Sequence, residues 1–417
     1  MGGSQGDALG IYISVPFCRS KCTYCNFASG VYPASAHEAY IGRLVADLQG
    51  AHGWAERIGA ELPRRVDSVY LGGGTPTLLA PVLFERLCAV MRAAFDLDPG
   101  AEITVECAPG QLADETLAAL AAAGVNRASL GVQSFVDAEA RATGRLHSRA
   151  VVEEDIARLR RAGISNINVD LIAGLPGQTL LSWDESLEAL VSSGVSHASV
   201  YMLEVDEDSR LGREVLAGGA RYGAALVPDD DAIARMYERA IERLDDAGIR
   251  QYEISNFART GFRSAHNLRY WRRRPYLGLG LDASSMLRAA TRGKAEADVP
   301  LSVLRTTTSS DLKAWLAGNG AMEMEWLNAS RQHEEAWFLG LRLNEGVSAA
   351  EMEREFGREL AAPALETAAR LAGEGLLEFE GAQARLTPRG RLLSNEVFQE
   401  FLTDKPERDR LIERTVQ

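Results

Sequence analysis

Residues 11–27 read IYISVPFCRSKCTYCNF, a short apolar run followed by three cysteines within eight residues. Cys18, Cys22 and Cys25 form a C-x3-C-x2-C pattern. Three thiolates on one loop can each bind a different iron of a cubane cluster, which leaves the fourth iron open to a cofactor or substrate. A single zinc ion is the competing interpretation. It needs a fourth protein ligand close by, and the next Cys or His along the chain is His37.

The composition describes an acidic globular chain. Its 417 residues include 45 Lys and Arg against 58 Asp and Glu, a net charge of −13. An acidic surface argues against a general nucleic-acid binder, because phosphate contacts need basic residues. No apolar run approaches the roughly 18 residues that a membrane span requires, and the first ten residues do not resemble a secretory signal. We therefore expect a cytoplasmic protein without a transmembrane segment, for which peripheral membrane contact stays open.

Short apolar, β-branched runs alternate with helical patterns along the first two thirds of the chain, which predicts parallel strands joined by crossover helices. Six such units suggest a barrel, and an open doubly wound sheet is the alternative. The predicted strands are Ile11–Val15, Val66–Leu71, Glu102–Glu106, Ala128–Val132, Asn166–Leu171 and His197–Leu203. The predicted helices are His37–Leu48, Pro81–Phe95, Ala113–Ala123, Val151–Ala162 and Trp183–Ser193.

Polar or glycine-rich motifs follow these strands. Because ligand sites of parallel α/β folds lie at the carboxyl ends of the strands, we expect one shared functional face. Beyond residue 290 the alternation stops. The expected organisation is a flexible N-terminus, the barrel, a connecting segment, a mostly helical winged-helix-like domain and a tail, at residues 1–10, 11–290, 291–330, 331–400 and 401–417.

The cysteine loop resembles the cluster loop of radical-SAM enzymes. In that superfamily S-adenosylmethionine (SAM) chelates the open iron, and reduction cleaves it to a 5′-deoxyadenosyl radical. From about Ile11 to Val397 the chain is similar to the branch that holds oxygen-independent coproporphyrinogen III oxidases and HemW haem chaperones. The resemblance implies a 4Fe–4S cluster, bound SAM and a (βα)6-type partial TIM barrel.

The same resemblance assigns roles to residues after the strands. Gly73, Gly74 and Thr75, in the motif GGGTPT, match the turn that binds the methionyl amino group, and Glu106 matches a carboxylate beside SAM. In the oxidase, three matching polar positions contact a second SAM. These positions are Gln133, Arg145 and Asp170. Tyr12, which is expected near SAM, and Tyr24, which could shield the cluster, complete the expected cofactor site.

Residues 266–271, HNLRYW, match the HNxxYW signature of HemW-type proteins. By that resemblance, His266 is expected to ligate haem iron. The neighbouring basic residues would bind the haem propionates: Arg269, Arg272, Arg273 and Arg274.

Two features favour the chaperone over the oxidase. Phe27 stands where the oxidase has a fourth cysteine, and only 17 residues precede Cys18. We therefore expect a chaperone that binds haem and passes it to acceptor proteins. The alternative is a radical-SAM enzyme acting on a porphyrin or another small molecule, a two-SAM methyltransferase type included, which would need an electron donor. A zinc protein without redox chemistry is the third possibility. Whether SAM is cleaved stays open.

Overall fold

The computed structural model describes residues 8–290 and 302–403. Its strands are β1 (Leu9–Val15), β2 (Ala60–Glu61), β3 (Arg65–Gly73), β4 (Asp96–Cys107), β5 (Arg127–Gln133), β6 (Asn166–Ala173), β7 (His197–Met202), β8 (Arg250–Gln251), β9 (Asn256–Ala258), β10 (Tyr276–Leu279), β11 (Ser284–Ala289), β12 (Val303–Thr307), β13 (Glu323–Leu327), β14 (Val347–Ser348), β15 (Leu377–Glu380) and β16 (Gln383–Leu386).

The α-helices are α1 (Ala34–Arg57), α2 (Pro81–Ala94), α3 (Asp114–Ala122), α4 (Asp137–Ala142), α5 (Arg149–Arg161), α6 (Leu180–Ser192), α7 (Arg210–Leu216), α8 (Asp230–Asp246), α9 (Ala265–Trp271), α10 (Leu312–Leu316), α11 (Ala329–Arg342), α12 (Ala349–Phe356), α13 (Arg358–Gly373), α14 (Pro388–Leu392) and α15 (Ser394–Gln399). Two short 3-10 helices span Pro76–Leu78 and Arg221–Leu226.

The parallel strands of the large sheet follow one another across the sheet in chain order. Strands β1, β3, β4, β5, β6 and β7 lie side by side in chain order and pair in parallel, and β10 pairs in parallel with the other edge of β1. A doubly wound sheet would reverse its strand order at a switch point, whereas a barrel adds each strand beside the last. The described strands do not close into a ring, because the order runs from β13 to β8. The predicted partial barrel is confirmed.

Each strand carries two different faces. In β4, Ile103 and Val105 are buried in the main apolar core together with residues of the surrounding helices, while Glu102 and Glu106 alternate with them on the opposite, inner face. Since successive side chains of a strand point to opposite sides, the inner faces of β3 to β7 line one polar chamber. Their carboxyl ends, with the loops that follow, form its rim.

The sheet extends further than the sequence pattern indicated. Residues 303–307 and 323–327, which we expected within a connecting segment, form β12 and β13, and these strands pair antiparallel beyond β11. The helix α10 lies between them and places Leu312 and Trp315 in the main core. This stretch is therefore part of the sheet layer. The N-terminal residues 1–7 and the tail from 404 lie outside the described residues.

The C-terminal unit has its own core. Helices α11 to α15 surround the small antiparallel sheet β14-β16-β15, and Trp337 and Phe401 stack within this core with ring centroids 4.7 Å apart. Helices followed by a small hairpin match the predicted winged-helix-like arrangement. Among the helices that the structure describes, none combines the length and the apolar character needed to cross a membrane.

Candidate functional site

The cysteine loop leaves the carboxyl end of β1 and closes on itself. The Cys18 amide donates a 2.9 Å hydrogen bond to the Gly30 carbonyl, and the Gly30 amide donates one of 2.9 Å to Pro16. Phe17 and Gly30 thus form an isolated parallel bridge. The bridge gives the three cysteines a short, fixed frame.

Distant rim loops hold the rest of the cysteine loop. The Thr23 amide donates to the Thr143 carbonyl at 3.1 Å, and the Leu211 amide donates to the Thr23 carbonyl at 2.8 Å. The side chain of Asn26 donates to the Asp206 carboxylate. The loops that follow β5 and β7 therefore support the loop that follows β1.

The three thiols are partly or fully buried and free of disulfides. Burial raises the pKa of the Cys18 and Cys25 thiols, so both stay protonated until a metal displaces the proton. Within the described residues, no three His, Cys, Asp or Glu side chains are placed to hold a single metal ion. Three thiols on one loop fit a cluster in which each binds a separate iron.

The glycine turn after β3 packs directly beneath this loop. The Gly74 amide donates a 2.9 Å hydrogen bond to Val15, and the Thr75 amide donates one of 2.8 Å to Phe17. A Cβ on Gly74 would lie 2.7 Å from the Val15 carbonyl oxygen, closer than real contacts allow. Gly73 has a φ of +95°, which favours glycine. The turn thus joins the cysteine loop to β3.

Two carboxylates face the chamber below the rim. Glu106 accepts hydrogen bonds from the Tyr70 hydroxyl at 2.9 Å and from the Gly73 amide at 3.1 Å. Asp170 accepts from Ser129 at 3.1 Å and from Asn168 at 2.7 Å. Burial, and then the charge of Asp170, raise the pKa of Glu106 to about 7. Burial also raises the pKa of Asp170. A cationic group would relieve both effects, so the pair suits an amine or sulfonium.

The remaining predicted residues lie near these groups. Arg145 donates to the Gly131 carbonyl and places Nη1 3.7 Å from the Cys22 sulfur. Burial raises the pKa of Tyr24, which lies close enough to Arg145 for that charge to oppose the shift. Gln133, with a φ of +68°, has a buried side-chain oxygen without a hydrogen-bond partner. These three residues connect the cysteine loop to the end of β5.

Tyr12 faces the same chamber from β1. Its ring centroid lies 6.2 Å from that of Tyr70, and burial followed by the Glu106 charge raises its pKa. The structure thus brings all the residues predicted for the cluster and SAM to one rim. Tyr70 was missed, because a tyrosine within a strand carries no motif signal. Only its position two residues after Ser68, on the inner face of β3, could have indicated it.

His266 lies elsewhere and is fully buried. Its Nδ1 is 3.1 Å from the Ser68 hydroxyl, and its Nε2 is 2.8 Å from the Tyr270 hydroxyl. Burial lowers the pKa of His266 to about 3, so the ring is neutral. Both ring nitrogens thus have hydrogen-bond partners, and iron would have to replace one of them. That His266 ligates haem iron stays a prediction.

The basic residues beside His266 are also engaged. Arg269 is buried and pairs with Asp67, Arg272 pairs with Glu345 at 2.7 Å, and Arg273 pairs with Glu355 at 2.7 Å. The last two ion pairs join this segment to the C-terminal unit. Of the four arginines expected to bind propionates, three therefore make structural contacts, and Arg274 is exposed. The role of this segment as a propionate site stays a prediction.

Comparisons with known proteins agree with the fold. Residues 12–190 match the radical SAM superfamily, and residues 327–393 match the HemN C-terminal domain. The solved coproporphyrinogen III oxidase HemN of Escherichia coli superposes with a TM-score of 0.77 at 23% identity, covering 95% of this chain and 91% of that one. At this identity the likeness concerns the fold alone.

Similarity in sequence extends over nearly the whole chain. The heme chaperone HemW of Lactococcus lactis is 33% identical, covering 94% of this chain and 97% of that protein. HemW of Bacillus subtilis is 32% identical, covering 94% and 98%. A mitochondrial radical S-adenosyl methionine domain-containing protein 1 of Bos taurus is 34% identical, covering 83% and 75%. The chain belongs to the HemW family of the radical SAM superfamily.

Proposed function

We propose that this protein is a cytoplasmic haem chaperone, which holds a 4Fe–4S cluster and SAM at the barrel rim and passes haem to acceptor proteins. The proposal is carried by one observation: this chain combines similarity to haem chaperones over nearly its whole length with a cysteine loop at the rim of the polar chamber. Relatives named heme chaperone HemW match it over their full length. The cysteine loop of Cys18, Cys22 and Cys25 is held directly above the polar chamber.

The residues present fit a cluster and SAM. Three free thiols would supply the cluster ligands, and the Glu106–Asp170 pair would receive the positive charge of SAM. The buried, unpartnered oxygen of Gln133 would accept a further hydrogen bond. When bound, the cluster supplies a metal site with an open position and a source of single electrons. The protein residues orient the ligand, and Tyr70 and Gly73 hold Glu106 in place.

The haem part of the proposal rests on the membership of this chain in the HemW family. Because the imidazole of His266 is occupied on both sides, we assign no iron ligand to it. His37 is partly exposed and stacks on Phe17 with ring centroids 3.9 Å apart. It therefore serves as a matched comparison for an accessible histidine near the cluster loop.

The cluster is tested by anaerobic reconstitution followed by iron and sulfide analysis. We expect about four irons and four sulfides per chain, and a loss of both when any one of the three cysteines is replaced by serine. Cys88→Ser is the control, because Cys88 lies in helix α2, outside the cysteine loop. Zinc without sulfide in the wild type would overturn the assignment.

Haem handling is tested by titrating haem into the reconstituted protein and then mixing it with apomyoglobin as a generic acceptor. Stoichiometric uptake followed by transfer supports the chaperone. Haem that binds and is never released to an acceptor would contradict it.

A second candidate function is radical-SAM catalysis. The buried carboxylates beside the cysteine loop favour it, since they would position SAM close to the metal. It requires an electron donor. Formation of 5′-deoxyadenosine under anaerobic reduction, accelerated by a porphyrin, would support it, and its absence with every porphyrin tested would favour the chaperone alone.

A further inference from the structure

Arg127, the first residue of β5, is a buried arginine whose guanidinium has no hydrogen-bond or ion-pair partner among the described residues. Its side chain is 1% exposed. The guanidinium forms no hydrogen bond, ion pair or ring contact with any residue in the described ranges 8–290 and 302–403, and its Nε is completely enclosed. An unpaired charge in a protein interior is strongly unfavourable, because it loses its hydration without compensation. The group therefore needs an explanation.

Arg269, the other arginine that is buried in the described ranges, and the largely buried Arg305 are both paired, which sets Arg127 apart. Arg305 forms two hydrogen bonds with the Glu335 carboxylate, at 3.0 and 2.6 Å. Arg269 pairs with Asp67 and donates to two carbonyl groups. The fold thus supplies hydrogen-bond acceptors to Arg269 and Arg305, whereas the guanidinium of Arg127 has none among the described residues.

The position of Arg127 places it inside the chamber. It lies opposite Thr104 of β4 and Asn166 of β6, and on the same face of β5 as Ser129, which contacts Asp170. Its charge acts on groups across the barrel. It lowers the pKa of Glu106 and of Asp170 against the larger effect of burial, and it adds to the burial that lowers the pKa of His197. Neither Glu106 nor Asp170 forms an ion pair with it in the described structure.

We infer that Arg127 receives a carboxylate of a ligand that enters the barrel. A guanidinium binds a carboxylate through two parallel hydrogen bonds, a geometry that chloride cannot offer. This inference rests on the proposed function, whose two organic ligands, haem and SAM, both carry carboxylates. Arg127 lies level with Thr104, two residues and about 7 Å below Glu106 along β4. That depth favours a haem propionate over the methionyl group at the rim.

The test compares wild type with Arg127→Met, which keeps an unbranched apolar stem and removes the charged guanidinium. Haem is titrated beside haem dimethyl ester, and SAM beside decarboxylated SAM. We expect Arg127→Met to weaken haem binding about 10- to 100-fold and to leave the ester unchanged. A loss confined to SAM, absent with its decarboxylated analogue, would support the carboxylate site and assign it to SAM.

A free carboxylate provides a probe that does not depend on haem. Sodium propionate should raise the melting temperature of the wild type above that in sodium chloride of equal ionic strength, and should not do so in Arg127→Met. If the wild type binds neither haem nor SAM, the proposed function fails while this measurement still decides the site.

Stability separates a ligand site from a structural charge. Because Arg127 leaves no hydrogen-bonded partner behind among the described residues, Arg127→Met should lower the melting temperature of the free protein less than a variant that breaks an ion pair. Arg305→Met is the control and should lower it more, since it leaves the largely buried Glu335 without its ion pair. Equal destabilisation by both variants, or equal affinity for each acid and its ester in Arg127→Met, would overturn the inference.

Discussion

The Tyr70 hydroxyl donates a 2.9 Å hydrogen bond to Oε1 of Glu106, while the Gly73 amide binds the other oxygen at 3.1 Å. One carboxylate oxygen is thereby held by a side chain of strand β3 and the other by the glycine turn. The ring of Tyr70 in turn lies 5.4 Å, centroid to centroid, from that of His266. The carboxylate expected to face SAM is therefore positioned by strand β3 and by the turn that supports the cysteine loop.

Tyr70→Phe should weaken SAM binding about 10-fold, because a charge-assisted hydrogen bond contributes about 1.5–3 kcal/mol. Since the hydroxyl lowers the pKa of Glu106, its loss should also shift the pH dependence. SAM affinity, measured by calorimetry between pH 6 and 9, should rise as Glu106 ionises near pH 7 in the wild type, and at higher pH in the variant. An unchanged midpoint would mean that Tyr70 does not act on Glu106.

Glu106→Gln should stabilise the free protein at alkaline pH. Burial raises the pKa of Glu106 from 4.5 to about 7 in the folded state, so the fold favours the protonated acid. The wild type thus loses stability as pH rises from about 4.5 to 7, an effect on the order of 3 kcal/mol. Melting temperatures of the two proteins should converge near pH 4.5 and differ most at pH 8. The exposed Glu185→Gln should track the wild type throughout.

Gly74→Ala should reduce cluster loading. The added methyl group would meet the backbone of Val15 and Phe17 at 2.7–2.9 Å and push the cysteine loop away from β3. Iron and sulfide per chain, measured after reconstitution, should fall well below wild type. Gly42→Ala in α1 meets nothing within 4 Å and should load normally. Normal loading in both variants would show that the loop tolerates displacement.

His266→Ala should lower stability and leave the haem spectrum unchanged. The substitution removes a fully buried ring and leaves Ser68 and Tyr270 without their partner, which costs about 2–4 kcal/mol. Denaturant unfolding would measure the loss. His37→Ala is the comparison for a partly exposed histidine. A changed haem spectrum in His266→Ala with wild-type stability would support His266 as the iron ligand.

The sequence predicted the six parallel strands closely, because each is an apolar run between turn residues. It could not predict which side of each strand faces the inside of the barrel. In β4 the alternation of Glu102, Thr104 and Glu106 with apolar residues is the same whether the polar side faces solvent or a chamber. For this reason the positioning role of Tyr70 and the isolation of Arg127 required coordinates.

His266 shows the other limit. Its motif is visible in the sequence, yet the same imidazole can ligate iron or be buried between two hydroxyl groups. Which one applies depends on Ser68, a residue 198 positions away. The strands at 303–307 and 323–327 were missed for a similar reason, since they are stabilised by pairing with β11.

Some contacts that hold the cysteine loop come from residues much later in the chain, so the loop can be held in place only after those residues have been synthesised. Ser20 is held by a residue 124 positions later, and Lys21 by one 189 positions later. At translation rates of 5–20 residues per second, the cysteines wait roughly 10–40 s after synthesis before those partners exist. We therefore expect the proposed cluster to be inserted late in the biogenesis of this chain. Until then its thiols depend on the reducing power of their surroundings, and truncated chains that end before α7 should accumulate without iron.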